Sequence, residues 1–506
     1  MKKSIIIALL GVLIGAGCVL TYDKITANNR KLKAEYQDWR KLNLILQSIE
    51  ENYVDTVDFE KVSDAAVSAA LSALDPHSVY MPPVELKEAE QDLAGDFEGI
   101  GIQFNVPNDT AIVIEVIPGG PSEKIGIRSG DRLLKVDTTV IAGVKFPQDS
   151  MVRRMKGPAG TKVNITVGRD GEEIPFLITR GKIPMHSVDA AFMLDDTTGY
   201  IRLSKFSRTT YKEVSEAASG LKDKGMSRLI FDLRENTGGY MDQALAISDL
   251  FLPKDSQIVY IEGRKRARQD FKSSGRGAFQ DMGLVVLIDE RSASSSEIFT
   301  GAMQDNGRAT VVGRRSFGKG LVQEPVYFTD GSGVRLTVAR FYTPSGRCIQ
   351  KEYSDDYYYE VYKRYQDGEM VEADSMKVEN GGIVPDIFVP VDTTKASDFY
   401  INANRKATTM RFASSFFDAH KKELSTIDDY GKLLKYLDNA SLESRFLSYA
   451  ASADGLVPAA GEWEANKDYI MAQVRALVGR YSKLGDNAYY HLYLPVDNVV
   501  HCAMKL

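Results

Sequence analysis

Residues 292–323 read SASSSEIFTGAMQDNGRATVVGRRSFGKGLVQ, and the way this stretch folds decides the rest. Just before it, Leu284-Val285-Val286-Leu287-Ile288-Asp289 is short, β-branched and apolar, which predicts a strand buried in a parallel sheet. Ile298, Phe299, Ala302 and Met303 then recur at helical spacing, so a helix begins near Ser295. Ser294 is left at the strand-to-helix corner. Free backbone N–H groups and the positive end of the helix dipole favour an oxyanion developing beside a hydroxyl there. Ser294-Ser295-Ser296-Glu297 also fits an S-x-x-E capping box, a purely structural use of the same residues.

Lys319 follows 25 residues after Ser294, between Gly318 and Gly320 and after a second β-rich run, Ala309-Thr310-Val311-Val312-Gly313. A lysine serves as general base only when burial or a neighbouring cation lowers its pKa from about 10.4 towards neutrality. The two glycines leave room for other walls to close around the amine. A phosphate loop is the rival reading. Gly313 to Gly318-Lys319 has the spacing of G-x-x-x-x-G-K-[ST], but Gly320 stands where a magnesium-binding Ser or Thr is needed.

These segments resemble the carboxy-terminal processing peptidases, also called tail-specific proteases, and the likeness runs from about Leu74 to Asp386. The resemblance implies a serine endopeptidase with an α/β, crotonase-like ββα core. It assigns the nucleophile to Ser294, the third residue of a SASASE-type signature, the base to Lys319 and the residue orienting that base to Gln323. The signature here is SASSSE, so Ser295 replaces the usual alanine and adds a second hydroxyl beside the nucleophile.

A second motif, Leu229-Ile230-Phe231-Asp232-Leu233-Arg234 running into Glu235-Asn236-Thr237-Gly238-Gly239, reads as a strand, a glycine turn and a helix from about Tyr240. Amides at Gly238 and Gly239 would form half of an oxyanion hole and the N–H of Ser295 the other half. The family's usual form is DLRxNPGG, so Thr237 replaces a proline; the same cluster is also simply a good turn. The five histidines, His77, His186, His420, His491 and His501, lie in no motif beside Ser294, although triad members need not be adjacent in sequence. With no H-E-x-x-H and no clustered Cys/His spacing, no metal and no cofactor is expected.

From about Phe97 to Arg180, short β-runs alternate with glycine turns, and Gly126-Ile127-Arg128-Ser129-Gly130-Asp131-Arg132-Leu133 resembles a PDZ landmark. The amides of Glu98 to Gly101 are placed to receive a terminal carboxylate, with the strand from Ile100 to Phe104 pairing with a peptide backbone. Gly99, Ile100, Gly101, Ile102, Met151, Val152 and Met155 are therefore candidate peptide-binding residues, while core packing explains the apolar ones equally well.

The chain has 506 residues, 43% hydrophobic and 26% charged, which suits an ordinary globular protein of about three or four domains. Its net charge of −6 argues against nucleic acid as a main partner. Met1-Lys2-Lys3 and the apolar run from Ser4 to Tyr22 predict an export signal or a retained membrane anchor. With the resemblance, this puts the bulk of the protein in the periplasm of a bacterial envelope, anchored to the inner membrane. Gly15-Ala16-Gly17-Cys18 resembles a lipoprotein site but has glycine where a leucine-like residue belongs, so an anchor is preferred to a lipid on Cys18. Cys348 and Cys502 could pair in an oxidising compartment.

Trp39, Leu42, Leu46, Ile49 and Tyr53 form one apolar helical stripe, followed by an alanine-rich helix from Asp64 to Leu74. In the family such helices often join protomers, which admits a homodimer; packing on the chain's own core is the equal alternative. Tyr353 to Asp374 reads as a surface insertion, and beyond Lys395 the pattern is helical without catalytic motifs. The expected division is 1–24 signal or anchor, 25–96 helical, 97–182 PDZ, 183–394 protease core and 395–506 helical. The expected activity is cleavage of exported proteins near their C-termini. A silent PDZ scaffold that only binds protein tails is the competing reading, and a CoA-dependent enzyme on a crotonase-like core has no positive motif.

Overall fold

The computed structural model describes residues 40–506 except 107–108, 355–356, 358, 373–380 and 394–396. The predicted N-terminal apolar run and Cys18 lie outside the described residues. Two compact units are present, Met1–Leu74 and Asp75–Leu506. In the first, helices 40–52 and Phe59–Ser72 follow the predicted apolar patterns. Leu42 and Ile45 on the first of these helices, and Tyr53 just after it, are exposed. The boundary falls earlier than expected. Residues after Asp75 belong to the second unit, where Val79–Met81 pairs antiparallel with Gly333–Arg335.

The second unit is built on a six-stranded sheet in the order Val188–Met193, Thr198–Leu203, Arg228–Asp232, Gly283–Ile288, Thr310–Gly313, Ile387–Phe388. All neighbours are parallel except the first pair. Side chains alternate across it: Leu229, Phe231, Val286 and Ile288 enter the main core, while Ile230, Val285, Leu287 and Val312 face the opposite side. Both faces are covered, which is why these strands are apolar throughout rather than alternating. The second face is closed by the chain's last helix, Asn498–Met504, through Val499, Val500 and Ala503. A second, antiparallel sheet carries the hairpin Leu321–Tyr327 and Gly333–Tyr342 that follows the lysine loop.

The PDZ body is a separate sheet in which Ile102–Asn105 is an edge strand, with the helix Gln148–Met155 packed on the same small core. Its stem is the two-stranded ribbon Asp96–Gly99 with Gly181–Pro184. The expected helical region 395–506 is helical in its described residues. Their helices enclose an apolar core containing Phe412, Phe446 and Ile470, and Ile114 of the PDZ body packs against it.

Tyr353 to Asp374 is not merely a surface insertion. Tyr357, Arg364 and Glu369 are buried. Arg364 donates to the carbonyls of Arg315 (2.7 Å) and Ser316 (3.2 Å), so the helix Glu360–Gln366 backs the segment leading into Lys319. Buried guanidiniums demand partners, and Glu369 supplies them to both Arg315 and Arg364. Among the described residues no helix is long and apolar enough to cross a membrane, and no cluster of potential metal ligands is found. Cys348 and Cys502 are both free thiols.

Candidate active site

The strand Gly283–Ile288 ends where expected, and the helix Ser295–Asp305 begins one residue after Ser294. Ser294 takes φ 56° and ψ −113°, a conformation that a residue with a side chain adopts only under surrounding constraint. The constraint is visible. Its N–H donates to Glu297 Oε2 at 2.8 Å, and neighbouring Ala293 and Ser296 are tied to the Asn236 carbonyl at 2.9 Å each.

Glu297 does far more than cap the helix. It is buried, and it also accepts from Ser316 Oγ at 2.5 Å, Gly318 N at 2.7 Å and Lys319 N at 2.9 Å. One carboxylate thus fastens the Ser294 corner to the Lys319 loop. From sequence this residue reads only as a cap, because its other partners lie 19 to 22 residues away.

Lys319 is half-buried, and the segment 349–351 wraps its loop: Lys351 N donates to Gly318 O and Gly320 N to the Gln350 side chain. Burial lowers the Lys319 pKa, and the cation of Arg335 lowers it further against the opposing pull of Glu297 and Asp75. Among the described residues no carboxylate lies within ion-pair reach of its amine, so nothing locks it in the charged form. Ser294, Ser295, Lys319, Gln323, Gly238 and Gly239 all line one cleft of about 1040 Å³.

The oxyanion side is sharper than the sequence reading. Gly238 N–H already donates to Asn236 Oδ1 at 2.9 Å and is therefore occupied. What Gly238 contributes is space, since a Cβ there would lie 2.7 Å from Ser294 Cβ and 2.9 Å from Ser295 N. The amides of Gly239 and Ser295 carry no hydrogen bond among the described residues, and they are the donors left at the corner. Ser295 is 1% exposed and its hydroxyl donates to Gly239 O at 3.0 Å, so the extra serine ties the Ser294 corner to the glycine turn and is not presented to the cleft as a free hydroxyl.

Gln323 lies in the cleft wall, where its amide nitrogen donates to the His77 carbonyl at 2.6 Å. His77 itself is held by Asp75, which accepts from the backbone N–H groups of His77 and Ser78. The His77 ring meets the Tyr357 hydroxyl at 2.5 Å. Burial, with the charge of Lys319, brings its pKa down to about 4, so the ring is neutral near pH 7. Counting histidines hid this neighbour of the lysine. It stands 246 residues from Gln323 in the chain.

The PDZ candidates divide. Ile100, Met151 and Met155 are buried in the domain's core, the packing role that sequence reading held equally open. Ile102, on the edge strand, and Val152, on the helix Gln148–Met155, are half-buried, and Gly101 takes φ 78° at the turn before the strand. Gly99 pairs with Gly181 in the stem.

Family models match this chain as Peptidase family S41 over residues 197–359, as PDZ domain over 99–179 and as Activating protease CtpB N-terminal domain over 15–83. A carboxy-terminal-processing protease of Bartonella bacilliformis is 33% identical over 69% of this chain and 81% of its own length. This chain belongs to the carboxy-terminal processing protease family. The processing protease CtpA of Bacillus subtilis is 33% identical over 62% of this chain and 66% of its own. The Synechocystis carboxyl-terminal-processing protease is 37% identical over 56% and 68%. Among solved structures, a photosystem II D1 C-terminal processing protease is similar at 25% identity, TM-score 0.39, over 70% of this chain and 88% of that one. The S41 match spans both glycine-flanked motifs, Gly238-Gly239 and Gly318-Lys319-Gly320, and stops before the C-terminal helices.

Proposed function

We propose that this protease cuts exported proteins at or near their C-termini through a Ser294–Lys319 dyad, with the PDZ domain selecting free tails. The observation that carries this reading is the shared cleft. Ser294 and Lys319 both wall it, one carboxylate fastens them, and the amine is lowered in pKa without an ion-pair partner.

In this mechanism neutral Lys319 takes the proton as Ser294 Oγ attacks the scissile carbonyl carbon. The oxygen that becomes anionic is held by the N–H groups of Gly239 and Ser295. When the C–N bond breaks, the Lys319 ammonium returns its proton to the leaving amine, and water then releases the acyl group by the reverse route. Gln323, anchored through its nitrogen on His77, keeps its side-chain oxygen to accept from the lysine and orient it. At the PDZ domain the tail adds a strand to Ile102–Asn105, Gly99 to Gly101 offer the carboxylate turn, and Ile102 and Val152 flank the last side chain. The sequence from Met1 to Tyr22 supports a setting at the inner membrane facing the periplasm.

The reading is tested by incubating wild type and Ser294→Ala with an exported protein carrying a free or an amidated tail and sequencing the fragments by mass spectrometry. Tail-proximal cuts by wild type, slower on the amidated form and absent with Ser294→Ala, are expected. Cutting by Ser294→Ala overturns the dyad, and equal rates on the two tails overturn the PDZ role.

A further inference from the structure

The strand that leads into the oxyanion turn ends in a buried charge cluster. Asp232 accepts from Tyr200 Oη at 2.7 Å and from Arg234 Nη2 at 2.6 Å, and it pairs with Arg202 at 3.2 Å. Two guanidiniums, 10% and 14% exposed, therefore converge on a single fully buried carboxylate. Arg202 also pairs with Asp189 at 3.9 Å and Glu235 at 3.3 Å, whereas the second carboxylate on Arg234 comes from far away in sequence. Asp497 Oδ2 accepts from Arg234 Nη1 at 2.8 Å and is itself only 8% exposed. Its other oxygen caps the last helix by accepting from the N–H groups of Val499 and Val500. Tyr490 lies beneath Arg202, 5.1 Å from ring centroid to guanidinium, and Asn487 accepts from Ala191 N at 2.8 Å. Arg234 is the residue from which the turn Glu235 to Gly239 departs, and Glu235 continues it at φ 62°.

We propose that Asp497 is a positioning residue for the oxyanion hole. It fixes Arg234, and with it the turn that presents Gly239, so the C-terminal helical region is a working part of the active site although it carries no catalytic motif. The inference rests on the protease reading given above. Removing Asp497 leaves Arg234 with Asp232 as its one carboxylate, shared with Arg202, which has Asp189 and Glu235 besides, and the relief open to Arg234 is to swing towards solvent and take the turn with it. The same helical region also holds the PDZ body: Arg132 pairs with Asp418 at 2.9 Å, and Asn105, at the end of the peptide-accepting edge, donates to Tyr481 Oη at 3.4 Å. Asp497 is thus placed at the core end of a structure whose other end meets the tail-binding strand.

The experiment compares wild type, Asp497→Asn and Asp497→Glu in the full chain, measuring kcat, KM, the pH profile, thermal midpoint and inhibition by a peptide aldehyde, which forms a tetrahedral adduct on the serine. Asparagine keeps an oxygen to cap the helix but removes the charge. The expected result for Asp497→Asn is a kcat lowered about ten- to a hundredfold, as for a catalytic donor displaced by about an ångström. KM and the acid limb should be unchanged, and aldehyde affinity should fall in proportion to kcat/KM. Asp497→Glu, which keeps the charge, should recover most of the loss. A lowered thermal midpoint with wild-type kcat and aldehyde affinity overturns the proposal. Should Asp497→Asn fail to fold, wild-type kcat in Asp497→Ser, a capping residue without the charge, overturns it equally, and a matching fall in kcat and aldehyde affinity there supports it. Failure of wild type to cut any peptide sinks the protease reading, whereas wild-type cutting with indifferent Asp497 variants sinks only this inference.

Discussion

The Ser294 corner and the PDZ edge, both proposed above as sites for polypeptide, are built in opposite ways. At the corner Glu297 takes four donors and Gly238 N–H is bound, while among the described residues the Gly239 and Ser295 amides, the proposed oxyanion donors, carry no hydrogen bond. At the PDZ edge one side of the strand Ile102–Asn105 has no strand partner among the described residues, and the larger apolar side chains are withdrawn into the core. A site that stabilises a fleeting charge gains from being fixed in advance, whereas a site that accepts a strand has its missing partner supplied by the ligand itself.

The strongest way to break this contrast is at the dyad. Ser294→Ala and Lys319→Ala should each lower turnover at least about a thousandfold, and the double variant should be little worse, because residues acting as one unit are not additive. Steady-state rates on one peptide decide it; an additive double variant would mean that the two residues act separately.

Next in size is Glu297→Gln. Each carboxylate oxygen accepts two donors, so an amide nitrogen in either place faces N–H or O–H groups rather than accepting from them. A loss of about a hundredfold in kcat is expected from displacement of both the corner and the lysine loop. Activity within about twofold of wild type would reduce Glu297 to the helix cap that the sequence suggests.

The electrostatics should respond more gently. Only the neutral amine accepts a proton, so kcat/KM should rise with pH through the lowered pKa of Lys319. Arg335→Gln removes a neighbouring cation, the ammonium becomes less costly, and the pKa moves back up. The acid limb should shift to higher pH, with Arg335→Lys close to wild type. His77→Ala should keep the limb, since that ring loses its proton already near pH 4. A limb that disappears with His77 would make histidine the base. The smallest effect belongs to the PDZ edge: Ile102→Asp should erase the preference for free over amidated tails while leaving short, tail-free peptides cut at the wild-type rate.

Local signals made the corner legible from sequence. The apolar run 284–289, the switch to helical spacing and the glycines around Lys319 each report on residues close in the chain, and the strand and helix fall where those patterns put them. What escaped depends on distance. Glu297 looks like a cap until the lysine loop folds against it, and Arg234 looks like a turn residue until Asp497 arrives from 263 residues away. The segment after Tyr353 reads as surface because tyrosine and acid are usually solvated, yet Glu369 is buried by two arginines that composition cannot pair with it. Met151 and Met155 show a different limit: on an amphipathic helix, spacing alone cannot separate a core residue from a ligand contact.

The central claim is that a neutral Lys319 activates Ser294, and covalent labelling reads it without a chosen substrate. Wild type and Lys319→Ala are treated with a peptidyl phosphonate across a range of pH, and the modified residue is located by mass spectrometry. Labelling confined to Ser294, faster as pH rises and nearly abolished in Lys319→Ala, is the expected result. A label on Ser295, or wild-type labelling of Ser294 without Lys319, would contradict the account.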